Sequence, residues 1–180
     1  MSCLLSSGRL LDCKTQIGGI KEVLFGDWGV IGNSYVLDAN EQLTDFDAAT
    51  LYRYELKSNT NTFAQEITAN GDNSSVFYTQ TVTIALPDLT PAYRLELQKM
   101  IRNRRLVIFV RDMHDKIHTV GLDRGAEVTG GSVGVGGAAG DFRGATLTFT
   151  AETRLIAPLV EPYTTTPFDN IANATISPAY

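Results

Sequence analysis

The 180-residue sequence predicts a mainly β fold, an antiparallel β-sandwich or barrel with one flanking α-helix. Seven segments alternate with period two and are rich in β-branched and aromatic residues, which is typical of strands. A single segment has a clear helical pattern, and strands do not alternate with helices, which argues against a parallel α/β fold. The expected strands are residues 20–25, 51–56, 62–68, 76–85, 106–111, 116–120 and 145–151.

The first two expected strands are separated by a long connection, residues 26–50. Connections of this length in a compact domain are usually functional or disordered. The second half of this connection is acidic and carries Asp38, Glu41, Asp45 and Asp47.

The strand at 76–85 carries threonine on one face, at positions 79, 81 and 83. A threonine face is often half-solvated or paired with hydroxyl groups of a neighbouring strand. A sheet that neighbouring subunits cover would have the same mixed composition.

The predicted helix spans residues 91–102 and begins with Thr90 as N-cap and Pro91 at the first helical position. Its apolar residues, which should pack on the sheet, are Leu95, Leu97, Met100 and Ile101. An arginine cluster follows at Arg102, Arg104 and Arg105. Arginines at a helix end complement the helix dipole, but they also suit an acidic neighbour or phosphate. We hypothesise that they pair across subunits with the acidic residues of 38–47.

Two histidines, His114 and His118, have the i, i+4 spacing that would bring both onto one metal ion if they were helical. Their flanks read as strands, so residues 112–116 are expected to form a hairpin turn. We therefore expect no metal site, no catalytic residues and no cofactor. Cys3 and Cys13 are expected to be free thiols, since two cysteines make no disulfide framework.

The segment 129–144 holds seven glycines in sixteen residues. It contains a loose G-x-G-x-x-A pattern, but a strand follows it, whereas a phosphate-binding loop opens a helix. We interpret the segment as a flexible loop or arm that contacts other copies of the chain. Its candidate assembly residues are Gly130, Gly131, Gly134, Gly136, Gly137 and Gly140.

Residues 1–160 are expected to form a single domain, followed by an extended tail at 161–180. The tail is rich in proline and threonine but keeps Tyr163, Phe168, Ile171, Ile176 and Tyr180, so it is expected to dock on a surface. The formal charge of −5 argues against a protein that grips nucleic acid. We see no secretory signal at the N-terminus and no apolar run long enough for a membrane span.

Two blocks resemble structural proteins of tailed bacteriophages. The opening block has Gly8-Arg9, Asp12-Cys13-Lys14 and the run 18–23, GGIKEV. The closing block, 137–150, reads GAAGDFRGATLTFT and is followed by Glu152 and Pro158. Together they resemble the phage tail tube protein family, including related ring or connector proteins of the virion.

This resemblance implies a β-sandwich with one helix, whose copies form rings, commonly hexameric, that stack into a conduit for DNA ejection. It implies a virion protein that assembles in the host cytoplasm, has itself and other tail or neck proteins as partners, and lets DNA pass through the lumen without specific binding. The extended tail departs from the shortest members of the family. Two alternatives stay open at this point: a head–tail connector ring, and a small β-fold module that binds a ligand with its glycine loop.

Overall fold

The computed structural model of the protein describes residue 8 and residues 17–57, 60–72, 74–87 and 90–180. The predicted fold class is confirmed: the chain is mainly β, with largely antiparallel sheets and a flanking helix. Cys3, Cys13 and the first part of the opening block, Arg9 to Lys14, lie outside the described residues. The strands are β1 (Ile20–Asp27), β2 (Val36–Leu37), β3 (Leu43–Asp45), β4 (Ala49–Glu55), β5 (Thr62–Asn70), β6 (Ser75–Pro87), β7 (Leu106–Asp112), β8 (Ile117–Val120), β9 (Glu127–Gly134), β10 (Gly144–Thr153) and β11 (Ala174–Ser177).

Two sheets pack face to face. The five-stranded sheet has the order β11-β4-β1-β7-β8, and the four-stranded sheet has the order β5-β6-β10-β9. All neighbours are antiparallel except β11, which runs parallel to β4. Their facing side chains form the first core, in which the rings of Phe25 and Phe149 lie 5.3 Å apart. Both of these residues are buried because strand alternation turns them toward the opposite sheet.

A second core covers the other face of the five-stranded sheet. The side chains of Leu24, Val107 and Phe109 point into it from β1 and β7. They are covered by helix α1 (Trp28–Ser34), by the β2–β3 ribbon and by the tail, which contributes Phe168 and Ile171. The five-stranded sheet is therefore covered on both faces, whereas the four-stranded sheet is covered on one.

Each of the seven expected strands is present, but the expectations for two connecting segments need correction. The connection 26–50 contains α1 and the β2–β3 ribbon, and Asp27 caps α1 by accepting a hydrogen bond from the Gly29 amide at 2.9 Å. The segment 129–144 is not one loop, since β9 continues through Gly134. The tail docks as expected, and the surface it docks on is the chain's own five-stranded sheet, to which it adds β11.

Helix α2 (Pro91–Arg102) has the predicted bounds and the predicted cap, with the Thr90 hydroxyl accepting from the Tyr93 amide. The predicted apolar stripe is half wrong. Leu97 and Met100 are buried in the first core, whereas Leu95 and Ile101 are 55% and 44% exposed. One side of the helix thus holds it to the sandwich, and these two aliphatic side chains face outward.

A candidate assembly surface on the four-stranded sheet

The face of the four-stranded sheet that points away from the five-stranded sheet, here called the outer face, is covered by no other element of the described residues. Its side chains come from alternate positions of each strand. Threonine is the most frequent residue among them, at positions 62 and 68 of β5, 79, 81 and 83 of β6, and 146, 148 and 150 of β10.

The threonines pair with one another across strands. The Oγ1 atoms of Thr83 and Thr148 are 3.3 Å apart, and those of Thr129 and Thr150 are 2.8 Å apart. The charged side chains at the outer-face positions of these strands are all acidic: Glu66, Glu127 and Glu152, without a lysine or arginine among them. The outer face is therefore a hydroxyl-rich, weakly acidic surface.

The two sheets differ in how their edges are treated. On the five-stranded sheet, β4 is covered by β11, which becomes an edge strand of four residues. Residues 158–160 cover β8 through bonds from the Thr119 amide to the Pro158 carbonyl (2.8 Å) and from the Val160 amide to the Ile117 carbonyl (2.9 Å). On the four-stranded sheet, β5 pairs only with β6, and β9 pairs only with β10 among the described residues. Each of these two edges leaves a row of backbone groups free for another strand.

The β5–β6 hairpin extends past the rest of its sheet. The last residue of β10, Thr153, lies opposite Tyr78, which pairs with Ile67, and beyond this row β6 has no β10 beside it. Residues 67–72 and 74–77 are here called the hairpin end. Ile67 and Val76 have the alternation phase of the first core, yet they are 66% and 53% exposed. They point to the side where the other sheet would lie, but no sheet covers them there. The hairpin end thus presents aliphatic side chains to solvent.

At the opposite end of the sheet, residues 135–143 connect β9 to β10. The carboxylate of Asp141 folds this loop, because its Oδ2 accepts from the amides of Gly137 and Ala138, both at 2.8 Å. These bonds lower the pKa of Asp141. Gly136 has φ +64°, and a Cβ there would lie 2.3 Å from that of Asp141. Val135 and Phe142 are exposed on the loop, at 76% and 47%.

The predicted assembly glycines fall into two groups. Gly136, Gly137 and Gly140 lie in the loop, whereas Gly130, Gly131 and Gly134 lie on β9, at the free edge of the sheet. Gly131 is needed for close approach, since a Cβ there would meet the Thr146 carbonyl oxygen at 2.5 Å. The segment predicted as a flexible arm is thus divided: residues 129–134 belong to an edge strand and residues 135–143 form a loop.

The acidic and basic groups that were hypothesised to pair are not joined within the described part of the chain. Asp38 accepts from the amides of Asn40 and Gln42, which lowers its pKa, mainly through the Gln42 bond. Glu41 and Asp45 lie on or beside the β2–β3 ribbon, and Asp47 follows it. Among the arginines, Arg105 stacks on Trp28 with 4.6 Å from its guanidinium carbon to the ring centroid. Arg102 and Arg104 are exposed, so pairing across subunits stays a hypothesis.

The two histidines are held separately. His114 lies in the predicted turn, where its Nε2 accepts from the Ile17 amide at 3.0 Å, and His118 lies on β8 with its ring 5.4 Å from that of Phe63. No group of three His, Cys, Asp or Glu side chains among the described residues is placed to hold a metal ion.

A buried ionic cluster that the sequence did not predict lies on the tail-covered face of the five-stranded sheet. Glu22 is 4% exposed and its Oε1 accepts from Arg111 Nη1 at 2.8 Å and from the Tyr180 hydroxyl at 2.6 Å. Arg53 Nε lies 3.5 Å from Glu22 Oε2. Burial and the bond to Glu22 raise the pKa of Tyr180 well above its usual range. Two tail tyrosines, Tyr163 and Tyr180, thus meet two arginines around one carboxylate.

Comparison with known proteins adds no family assignment. No protein-family model matches the chain, and no curated protein is similar to it at a significant level. Among the described helices, neither is long and apolar enough to cross a membrane.

Proposed function

We propose that this chain is a virion structural protein, a tail tube subunit of a tailed bacteriophage that assembles into stacked rings and has no enzymatic activity. The proposal rests on the resemblance of two sequence blocks to that family and on the four-stranded sheet. In the proposed ring, hexameric as is common in the family, β5 of one copy pairs with β9 of the next.

The observation that carries the proposal is the difference between the two sheets. Open strand edges template pairing with other chains, and proteins that stay monomeric usually cover or charge them. In the five-stranded sheet, residues 158–160 cover β8 and the strand left at the other edge is the four-residue β11, whereas the four-stranded sheet ends in the nine-residue β5 and the eight-residue β9, both open. Pairing of β5 with β9 joins two different edges, so the contact is head-to-tail and closes into a ring when the rotation fits.

The outer face would line the conduit. Threonine hydroxyls and Glu66, Glu127 and Glu152 give it no cationic group that could release counterions from DNA. Anionic DNA would pass along such a wall without being retained, and repulsion would keep it near the axis. The arginines at 102–105 lie away from this face, beside α2 and Trp28.

Stacking would use the two ends of the same sheet. The hairpin end projects from one end with Ile67 and Val76, and the 135–143 loop projects from the other with Val135 and Phe142. Because the two ends differ, rings stack in one direction. Aliphatic and aromatic side chains at both ends would be buried at the ring–ring contact.

Cysteine cross-linking combined with electron microscopy tests the proposal. In a chain with Cys3 and Cys13 replaced by serine, Ala64→Cys on β5 is combined with Ser132→Cys, or in a second variant Gly130→Cys, on β9. Oxidation should yield a ladder of covalent multimers that stops at the ring size, and micrographs should show stacked tubes. The matched control, Ala64→Cys with Thr148→Cys on the central strand β10, should give no ladder.

Two results would contradict the proposal. Monomers at all concentrations would favour a ligand-binding module, and single rings that never stack would favour a head–tail connector. Cross-linking in the Thr148→Cys control at the level of the edge variants would show that the ladder does not report edge pairing.

A further inference from the structure

The five-stranded sheet carries a second surface feature, which does not depend on the tube assignment. Residues 174–177 lie along β4 in parallel register, from Ala174 opposite Ala49 to Ser177 opposite Tyr52. This is the geometry of an added strand, in which main-chain bonds supply affinity and alternate side chains supply specificity. Ile176 packs on the second core, whereas Thr175 and Ser177 face solvent.

The strand is followed by an aromatic anchor. The hydroxyl of Tyr180 donates to Glu22 Oε1 at 2.6 Å, and the guanidinium carbon of Arg53 lies 4.4 Å from the centroid of the Tyr180 ring. Arg53 Nη1 also donates to the Ala179 carbonyl at 3.4 Å. Glu22 and Arg53 belong to β1 and β4, so the two side chains that contact Tyr180 come from strands inside the sheet and not from loops.

Glu22 is buried at the base of this site and is positioned without the tail strand. Arg111 Nη1 donates to it at 2.8 Å, and Arg111 is itself held by Asp115. The carboxylate therefore keeps a cationic partner when Tyr180 leaves. Glu22 can accept a hydrogen bond from a phenol hydroxyl while the guanidinium of Arg53 stacks on the phenol ring, so together they suit a tyrosine side chain.

We propose that Glu22, Arg53 and the edge of β4 form a binding site for an extended peptide that carries an aliphatic residue and, four positions later, a tyrosine. The chain's own residues 174–180 fill the site in cis, and the same residues of a second copy can fill it in trans. Ile176 and Tyr180 supply the specificity. Tails could then be exchanged between copies without a change in the rest of the fold.

The test uses the full chain with Ile176→Asp and Tyr180→Ala, here called the vacated chain, and a fluorescent peptide of residues 174–180 with blocked ends. Fluorescence anisotropy should show peptide binding to the vacated chain at least tenfold tighter than to wild type, because the tethered segment competes at an effective concentration near millimolar. A Tyr180→Phe peptide should bind about tenfold or more weakly, since it lacks a hydrogen bond to a charged group. A Thr175→Ala peptide, altered only at a solvent-facing position, should bind like the parent.

Equal binding of the peptide to wild type and vacated chain, or none to either, would overturn the proposal, as would a Phe peptide that binds like the parent. Denaturant unfolding with an unchanged m-value verifies that the vacated chain is folded. If the vacated chain is not folded, the test uses the full chain with the single substitution Tyr180→Phe. Amide exchange of residues 49–52 should then rise severalfold while that of β6 stays constant, and unchanged exchange at 49–52 would refute the site.

Discussion

Substitutions at two isoleucines of the four-stranded sheet test the stability of the subunit and the proposed assembly separately. Ile84 on β6 is fully buried in the first core, whereas Ile67 on β5 is 66% exposed at the hairpin end. Both have the alternation phase that faces the other sheet, and both lie in strands of the same sheet. Replacing each with alanine removes the same atoms from two different environments.

The two substitutions should change different quantities, the free energy of unfolding for Ile84→Ala and the critical concentration for assembly for Ile67→Ala. Ile84→Ala leaves a cavity in a packed core and should lower the free energy of unfolding by about 2–5 kcal/mol. Ile67→Ala should change it by less than about 0.5 kcal/mol, since surface substitutions rarely do more. If a neighbouring copy buries the exposed two-thirds of Ile67, the lost transfer free energy is about 1–2 kcal/mol per contact. The critical concentration for assembly should then rise about 5- to 30-fold.

Denaturant unfolding measures the first quantity, and sedimentation across a concentration series, with electron microscopy of the pellets, measures the second. The reasoning fails if Ile67→Ala leaves the critical concentration unchanged, because the hairpin end would then not be an assembly contact. It also fails if Ile67→Ala destabilises the subunit by more than about 1 kcal/mol, because Ile67 would then already be packed within one copy.

Three further predictions concern charge. Wild-type protein should not retain duplex DNA at physiological salt in a filter or gel-shift assay. The double variant Thr81→Lys, Thr148→Lys, with two lysines on the outer face, should retain DNA in a salt-sensitive manner once assembled. DNA binding by the wild-type protein would contradict the proposal that the outer face is an acidic conduit wall. Glu22→Ala should lower the free energy of unfolding by about 3–5 kcal/mol, since it leaves Arg53 and Arg111 without their buried partner, whereas Glu152→Ala on the open face should be near neutral. Asp169 has a pKa lowered from 3.8 to about 2, mainly by the Thr164 hydroxyl and the amides of Thr165 and Thr164, so its contribution to stability is present above pH 4 and is lost as the pH falls through 2. The free energy of unfolding of Asp169→Asn should therefore be lower than that of wild type at pH 7 and equal to it near pH 1.5. A difference that stays the same at both pH values would show that the carboxylate charge is not its cause.

The strands with clear alternation could be predicted because each has one face in a core. Strand β9 could not, since Gly130, Gly131 and Gly134 carry no side chains and leave no period to detect. It is a strand because β10 pairs with it along seven register positions. The glycine content predicted a mobile segment, but pairing with β10 makes residues 129–134 part of an edge strand.

Helix α1 was missed for a similar reason. Its sequence, WGVIGNS, holds two glycines and one buried residue, Ile31, so neither propensity nor periodicity indicates a helix. The Asp27 cap and the burial of Ile31 in the second core stabilise it instead. Such short helices depend on packing that a local pattern does not contain.

The cluster around Glu22 could not be assigned because its members are distant in sequence and because the tail contributes two of them, Tyr163 and Tyr180. Alternation places Glu22, Arg53 and Arg111 on the face of the five-stranded sheet opposite the first core. The sequence predicted that the tail docks, but not on which surface. Tyr163 and Tyr180 were recognised as residues that need a partner, but the partner is set by β11 pairing in parallel with β4.

In the proposed tube, the tail limits the strand edges that are open to other copies of the chain. Without residues 158–160 and 174–177, both sheets would expose two edges, and copies could pair through either sheet or through mixed combinations. Such choices produce irregular aggregates, because each edge accepts several partners. With the tail in place, the long edges left open among the described strands belong to β5 and β9, which differ in glycine content, while the edge at β11 is four residues long. Pairing between unlike edges has one direction, so in the proposed tube the tail on the five-stranded sheet would favour ordered growth through the four-stranded sheet.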